Sequence, residues 1–472
     1  MSDSFSSPLA AALQHALAHL TPDPDRSVAG NASLETLRTQ LDLPLGDAGL
    51  DPVRVIDDLV AGVQGGIHDS AGGRFFGWVI GGSLPAALAA DWLTSTWDQN
   101  AALHACAPAA AVVEEVAGRW LKEVLHLPAT ASFALVTGCQ MAHVTCIAAA
   151  RHHLLAQAGC DVERDGMSGT PPIRILASTE AHGTAVRALR LLGIGSRNIV
   201  PLAADSNGRL IPEALQAALE ESPTQPTLVI LNAGDLNIGA FDDFEQLIPL
   251  AHKFGAWVHV DGAFGLWAAA SPRLRPLVKG VERADSWATD GHKWLNVPYD
   301  CGYAFVAHSE AHSASLSHRA SYLIHNADAR DQIDWNPEWS RRGRGFATYA
   351  ALRQLGRSGV ADLIDRTCAR AHDIVTGIGA LPGAEVLWEP VINQGLVRFL
   401  NPAADATEQD HDAFTELVMQ QVLATGEVFF TGTTWRNRRA MRVSVCNWQT
   451  SPQDVARVCA AVAGVLKTLN AG

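Results

Sequence analysis

The sequence predicts an α/β protein: a mostly parallel seven-stranded sheet between helices, with an N-terminal helical segment and a smaller C-terminal α+β domain. Three observations lead there. Seven short apolar runs of strand character recur between residues 132 and 308. Amphipathic helical patterns separate most of them. From about residue 350 the order of elements changes. Near-continuous apolar strands spaced by helices belong to parallel sheets covered on both faces.

Residues 1–84 read as helices and loops, broken early by "TPDPDRSVAGNAS" and closing on "GWVIGGSLP". Residues 85–349 form the large domain. Its strand candidates are "SFALVTG", "IRILAST", "NIVPLAAD", "TLVILNAG", "AWVHVDGA", "DSWATDG" and "CGYAFVAH". The helical run "DDFEQLIPLAHKFG" stops on Gly255, a helix-ending residue. Residues 350–472 form the small domain: a helical stretch, then "AEVLWEP", "GLVRFL", "GEVFFTG" and "AMRVSVCNW" as strands, then a last helix from "SPQDVARV".

The 472 residues, 48% hydrophobic, suffice for a sizeable core. A net charge of -14 argues against nucleic acid as a partner, because phosphate binding needs clustered Lys and Arg. The eight cysteines form no C-x-x-C pair and no zinc spacing, as expected of free thiols in a reducing cytoplasm. The start "MSDSFSSPLAAALQHALAHL" lacks the pattern of a signal peptide, and no apolar run is long enough to span a membrane. These features suggest a cytoplasmic enzyme acting on a small molecule.

Open α/β sheets bind ligands at the carboxyl ends of their strands. The polar residues just after the strand candidates are therefore the site candidates. They are Cys139 and Gln140, Glu180 and His182, Asp235 and Asn237, Asp261 with Ala263, and His292 with Lys293. "VTGCQMAHVTCIAAAR" passes from strand through glycine into helix, and backbone N–H groups at a helix start bind phosphate. Neither G-x-G-x-x-G after a strand nor a P-loop occurs, and the hydrolase elbow G-x-S-x-G is absent. Asp261 at a buried strand end needs a donor partner; a helix cap or a structural ion pair is the plainer account. Lys293 follows 32 residues later. It is either a snorkelling surface lysine or a desolvated one, with depressed pKa and nucleophilic toward carbonyls. A lysine, a carboxylate and a helix start together describe a pyridoxal phosphate site.

"HVDGAFGLWA" followed by "ADSWATDGHKWLNVPYDCGYAFV" resembles the group II pyridoxal-phosphate-dependent amino acid decarboxylases, a fold-type I family that includes the aromatic-amino-acid, tyrosine and glutamate decarboxylases. "GRFFGWVIGGSLPAALAADWL" and "EAHGTAVRALRLLGI" extend the resemblance, which covers roughly residues 65–460. It implies an amino acid decarboxylase working as a homodimer, with the N-terminal segment on the partner subunit. It implies Lys293 as the Schiff-base lysine, Asp261 at the pyridine nitrogen, Ala263 beneath the ring and His182 above it. Cys139, Gln140 and His292 fall near the phosphate, and Asn237 joins them as a cofactor contact.

Two departures stand out. Asp290-Gly291 replaces the family's frequent Asn-Pro before His-Lys, putting an anion near a phosphate. The segment "NADARDQIDWNPEWSRRGRG" lacks the loop tyrosine that returns a proton to the α-carbon. Trp335 is its nearest aromatic residue, and Tyr322 lies upstream. Without that tyrosine a carbon–carbon lyase, an aldehyde-forming oxidative decarboxylase or an aminotransferase remains open. For the substrate, "FFGWVIGG" offers Phe76 and Trp78 as a pocket for an aromatic or apolar amino acid, or as ordinary core. Arg442 is either a carboxylate anchor or an outward-facing surface residue.

Overall fold

The computed structural model describes residues 4–318 and 329–471. The chain opens with α1 (Ser6–Leu20), α2 (Leu34–Leu41) and α3 (Pro52–Gly62), then α4 (Pro85–Trp97) and α5 (Pro108–Val124). Proline at the first turn starts α3, α4 and α5, where a missing N–H costs nothing.

The central region holds β1 (Ser132–Val136), α6 (Cys139–Gln157), α7 (Val162–Asp165), β2 (Arg174–Ser178) and α8 (Gly183–Leu191). It continues with β3 (Ile199–Leu202), α9 (Pro212–Glu221), β4 (Thr227–Asn232), α10 (Phe244–His252) and β5 (Trp257–Asp261). It closes with β6 (Ser286–Asp290), β7 (Gly302–Val306) and α11 (Ser309–Leu316). The seven strands lie in the order β1-β7-β6-β5-β4-β2-β3, antiparallel only where β7 pairs with β1 and β6. The predicted parallel sheet is thus present, with β7 inserted against the common direction.

Side chains on β4 alternate between two cores. Val229 and Leu231 join the core on one face, Leu228 and Ile230 the core on the other. This period of two is what a sheet buried on both faces imposes. On β5, Trp257, His259 and Asp261 share the face that α6 covers.

The second sheet, β10-β11-β9-β8, contains β8 (Ala384–Trp388), β9 (Gln394–Phe399), β10 (Thr431–Trp435) and β11 (Arg438–Ser444). It packs with α12 (Gly345–Gly379), α13 (Glu408–Ala424) and α14 (Pro452–Ala471). Helix α12 crosses residue 350 and bends at Gly356, where φ is 61°. The stretch "GEVFFTG" is a strand only from Thr431, because Phe429 instead makes a single bridge to Phe75 and stacks on its ring at 4.5 Å.

One close approach fixes the sheet against α6. A Cβ on Gly302 of β7 would lie 2.5 Å from backbone atoms of Gly138, immediately before α6. Backbone cannot rotate away as a side chain can. Gly302→Ala is expected to destabilise the protein by about 1–3 kcal/mol, read as a lower midpoint in urea unfolding.

Candidate active site

The carboxyl ends of β1, β5 and β6 converge on two buried carboxylates. Asp290 ends β6 and is 2% exposed. Its Oδ1 accepts the Cys139 N–H at the start of α6, at 2.6 Å. Its Oδ2 lies 2.9 Å from Lys293 Nζ. Asp261 ends β5 and is 7% exposed. Its Oδ1 accepts the Ala263 N–H at 3.2 Å, and His143 Nε2 stands 3.5 Å from its Oδ2. Ala263 connects the two, since its carbonyl accepts the Asp290 N–H at 2.9 Å.

Their neighbours set the electrostatics. Burial opposes the charge on Asp261, but His143, His182 and Lys293 outweigh it, so its pKa lies well below the usual carboxylate range. Burial likewise opposes the charge on Lys293, and Asp290 more than offsets it, so its pKa is raised above that of a free lysine. This overturns the expectation of a desolvated lysine with a depressed pKa. The physical reason is the adjacent carboxylate, three residues earlier on the same turn.

His292 is pushed toward the neutral form by burial. Its Nδ1 accepts the Cys301 N–H at 3.1 Å, which places its hydrogen on Nε2, 3.5 Å from Asp290 Oδ1. Tyr299 stacks on this ring at 4.3 Å. Although Tyr299 is 60% exposed overall, desolvation around its phenol pushes it up to about 12, with Lys293 opposing, so it stays protonated at neutral pH. Gly291 has a steric reason: the Tyr303 hydroxyl occupies the place a Cβ would take, and that hydroxyl is fixed 2.9 Å from Thr348 Oγ1.

His182 caps α8 through Nδ1, which accepts the Thr184 N–H at 3.3 Å. Burial lowers its pKa, against the pull of Asp261 and with the push of Lys293 and Arg442. These charges reach it because it lies on the same side of the sheet edge. Lys293, Asp261, Ala263, His182, Cys139, Gln140 and His292 are therefore brought together.

Other candidates lie elsewhere. Phe76 is fully buried in the small-domain core, stacked on Phe430 at 5.5 Å, so it lines no cleft. Trp78 is half exposed beside Phe75 and Phe429, and its backbone N–H donates to Thr431 Oγ1. Asn237 Oδ1 accepts from the Thr433 hydroxyl at 2.8 Å, which ties it to β10 rather than to the lysine. Trp335 sits with Arg330 and His312 at the start of β1, the sheet edge opposite Lys293. Tyr322 lies outside the described residues.

Arg442 is not an outward residue. It is 4% exposed, and among the described residues it donates only to Leu236 O at 3.3 Å and Thr431 Oγ1 at 3.4 Å and leaves Nε buried without a partner. Burial lowers its pKa to about 10.

The donor set suits a flat phosphate-bearing cofactor. Asp261 offers an anion at a buried strand end, and small Ala263 leaves space over the ring plane. Gln140 Nε2 is buried without a partner at the first turn of α6, where an acceptor is wanted. The Cys139 N–H, expected to meet phosphate, is instead taken by Asp290. Sequence reasoning missed His143, His259 and Tyr299. A signal existed for two of them: His143 is one helical turn after Cys139, and His259 is two residues before Asp261 on one strand face.

Comparison with known proteins agrees. The pyridoxal-dependent decarboxylase conserved domain matches residues 35–400. An aromatic-L-amino-acid decarboxylase of Bacillus atrophaeus is 24% identical over 93% of this chain and 91% of its own length. A 4-hydroxyphenylacetaldehyde synthase of Rhodiola rosea is 25% identical over 80% of this chain and 78% of its own. The crystal structure of Oryza sativa TDC with PLP and tryptamine superposes with a TM-score of 0.91 at 25% identity, covering 100% of this chain and 98% of that one. The chain belongs to the pyridoxal-dependent decarboxylase family, whose members use pyridoxal phosphate to decarboxylate amino acids.

Asp290→Asn removes the charge that raises Lys293, leaving burial to lower it. The expected result is that Lys293 reacts with an amine-selective reagent at lower pH than in the wild type. Mass spectrometry of the labelled peptide across pH reads this; an unmoved midpoint refutes the coupling.

Proposed function

We propose that this family member releases carbon dioxide from an L-amino acid with an aromatic or apolar side chain, giving the amine. The observation that carries the reading is the meeting of Lys293, Asp261 and His182 at one sheet edge, with unpaired Arg442 nearby. Lys293 would anchor pyridoxal phosphate, and Asp261, Ala263 and His182 would hold its ring, with Asp261 the anion available to its ring nitrogen. Gln140 and His292 take the phosphate. Bound there, pyridoxal phosphate supplies an electron sink for the pair left on the α-carbon.

The protein's own groups select and orient the substrate. Arg442 pairs with no carboxylate among the described residues, so its guanidinium is available to a substrate carboxylate. The Trp78 backbone N–H and Arg442 Nη2 share the Thr431 hydroxyl, which brings residue 78 close to the cation. That pairing favours an aromatic or apolar side chain. Tyr299, a protonated phenol within the field of Lys293, is the proton donor to the α-carbon. A second reading, oxidative release of an aldehyde, is favoured by one observation: residues 329–344 contain no tyrosine.

The homodimer belongs to the same proposal. Helix α1 buries no residue, and Leu9, Leu13 and Leu17 are 56%, 45% and 56% exposed at four-residue spacing. An apolar stripe of this kind suits a second copy of the chain. The eight thiols are all free, which supports a reducing cytoplasm, and no helix among the described residues is long and apolar enough to cross a membrane.

Supplying the holoenzyme with each of the twenty amino acids, and measuring carbon dioxide, amine, ammonia and peroxide, tests the chemistry. Carbon dioxide matched by amine is expected; ammonia and peroxide in step with carbon dioxide would instead establish the aldehyde reading. Lys293→Ala should abolish turnover, and Tyr299→Phe should slow amine release by about 10²–10⁴-fold. Separately, the wild type should sediment as a dimer in analytical ultracentrifugation, and Leu9→Asp with Leu13→Asp should yield monomers.

A further inference from the structure

Behind Asp261 lies a row of buried polar side chains that neither the anchoring nor the orienting roles above employ. His143 Nε2 stands 3.5 Å from Asp261 Oδ2. His143 Nδ1 lies 2.9 Å from His259 Nε2, with the rings edge to face at 81°. His259 Nδ1 lies 2.9 Å from Ser286 Oγ, and the Trp257 indole N–H donates to that same oxygen at 2.9 Å. His143, His259 and Ser286 are fully buried, and Trp257 is 2% exposed.

The fold makes this row almost unavoidable. Trp257, His259 and Asp261 alternate onto one face of β5. Ser286 is the register partner of His259 on β6. His143 descends onto that face from α6, one turn beyond the helix start. Polar groups in such a place are costly unless each finds a partner.

The hydrogens follow from the partners. Facing a carboxylate, His143 Nε2 carries a hydrogen, so Nδ1 of a neutral ring accepts. His259 then donates from Nε2 and accepts at Nδ1. The Ser286 hydroxyl therefore donates to His259 and accepts from Trp257, which can only donate. Burial pushes His259 down to about 3, in keeping with a neutral ring. The links from Trp257 to His143 are each satisfied with donors running toward Asp261, and His143 Nε2 lies 3.5 Å from both the Asp261 carboxylate and Cys139 Sγ.

We propose that this row is a positioning relay: His143, backed by His259, Ser286 and Trp257, holds the Asp261 carboxylate charged and aimed at the cofactor's ring nitrogen. The proposal rests on the reading that Asp261 faces that nitrogen. The other charged or titratable groups around Asp261 are Cys139 from α6, His182 at the start of α8 and Lys293 after β6. Only His143 touches the carboxylate with a side-chain donor among the described residues. A relay behind the carboxylate keeps the ring nitrogen protonated without any group of its own entering the cleft.

The test uses the holoenzyme reconstituted with ¹⁵N-labelled pyridoxal phosphate, reading the ring-nitrogen signal by solid-state NMR at one near-neutral pH. Thermal melting serves as the folding control. The wild type should show the protonated nitrogen, and Asp261→Ala should lose it. His143→Leu should lose most of it with the cofactor still bound. His143→Gln, whose amide N–H has about the reach of imidazole Nε2, should restore it, and Ser286→Ala should fall between. If Asp261→Ala loses the proton but His143→Leu and Ser286→Ala keep it, the relay is overturned and the role of Asp261 stands. If Asp261→Ala keeps the proton, the reading of Asp261 fails and the relay falls with it. Should the leucine variant not fold, Ser286→Ala against His143→Gln carries the same comparison: equal, wild-type signals overturn the relay.

Discussion

The Asp290 carboxylate is the contact on which the site is built. It joins the start of α6 to the end of β6, 151 residues away in sequence, and holds the turn that presents Lys293. A buried carboxylate needs charged or hydrogen-bonding partners, and here the helix amide and the ammonium meet that need together. Each also gains from it. An anion suits a helix start, and a lysine that is mostly buried keeps its charge more readily beside an opposite one. Gly302, pressed against Gly138, and Gly291, pressed against Tyr303, hold the same junction by shape.

Two carboxylates that end neighbouring strands thus do different work. Asp290 faces a primary ammonium and a backbone amide; Asp261 faces imidazole and a backbone amide. The first fixes the lysine and the second fixes the charge at the end of β5. Their separation is a consequence of the parallel sheet, in which β5 and β6 are neighbours and end at the same edge. The hydrophobic faces of the sheet keep both carboxylates away from solvent, so their partners, and not water, decide their charge states.

Much of this could be read from residues alone. The strands announced themselves because a sheet covered on both faces demands continuous apolar runs, and the residues just beyond those runs fall at one edge. Lys293 and Asp261 were legible for that reason. Partners across the sheet were not. His143 and His259 are 116 residues apart, and nothing local says that α6 lies over β5. The Lys293–Asp290 pair was three residues wide, yet its effect was read with the wrong sign, because burial was weighed without the neighbouring charge. Phe76 and Trp335 illustrate another limit. Aromatic residues near a site in sequence are drawn equally to any core within reach, here that of the small domain and the start of β1.

The contact between Gly291 and the Tyr303 hydroxyl constrains how this sequence can have arisen. The hydroxyl, fixed by Thr348, fills the space that a side chain at 291 needs. An alanine at 291 is compatible with a smaller, non-aromatic residue at 303, since Tyr303 Cζ as well as its hydroxyl crowds the Cβ position, and tyrosine at 303 is compatible with glycine at 291, but the remaining combination clashes. The two substitutions are therefore epistatic, and only one order of acquisition passes through a packed intermediate: the glycine comes first. Grafting a bulkier turn from another family member onto this site requires Tyr303 to be exchanged in the same step.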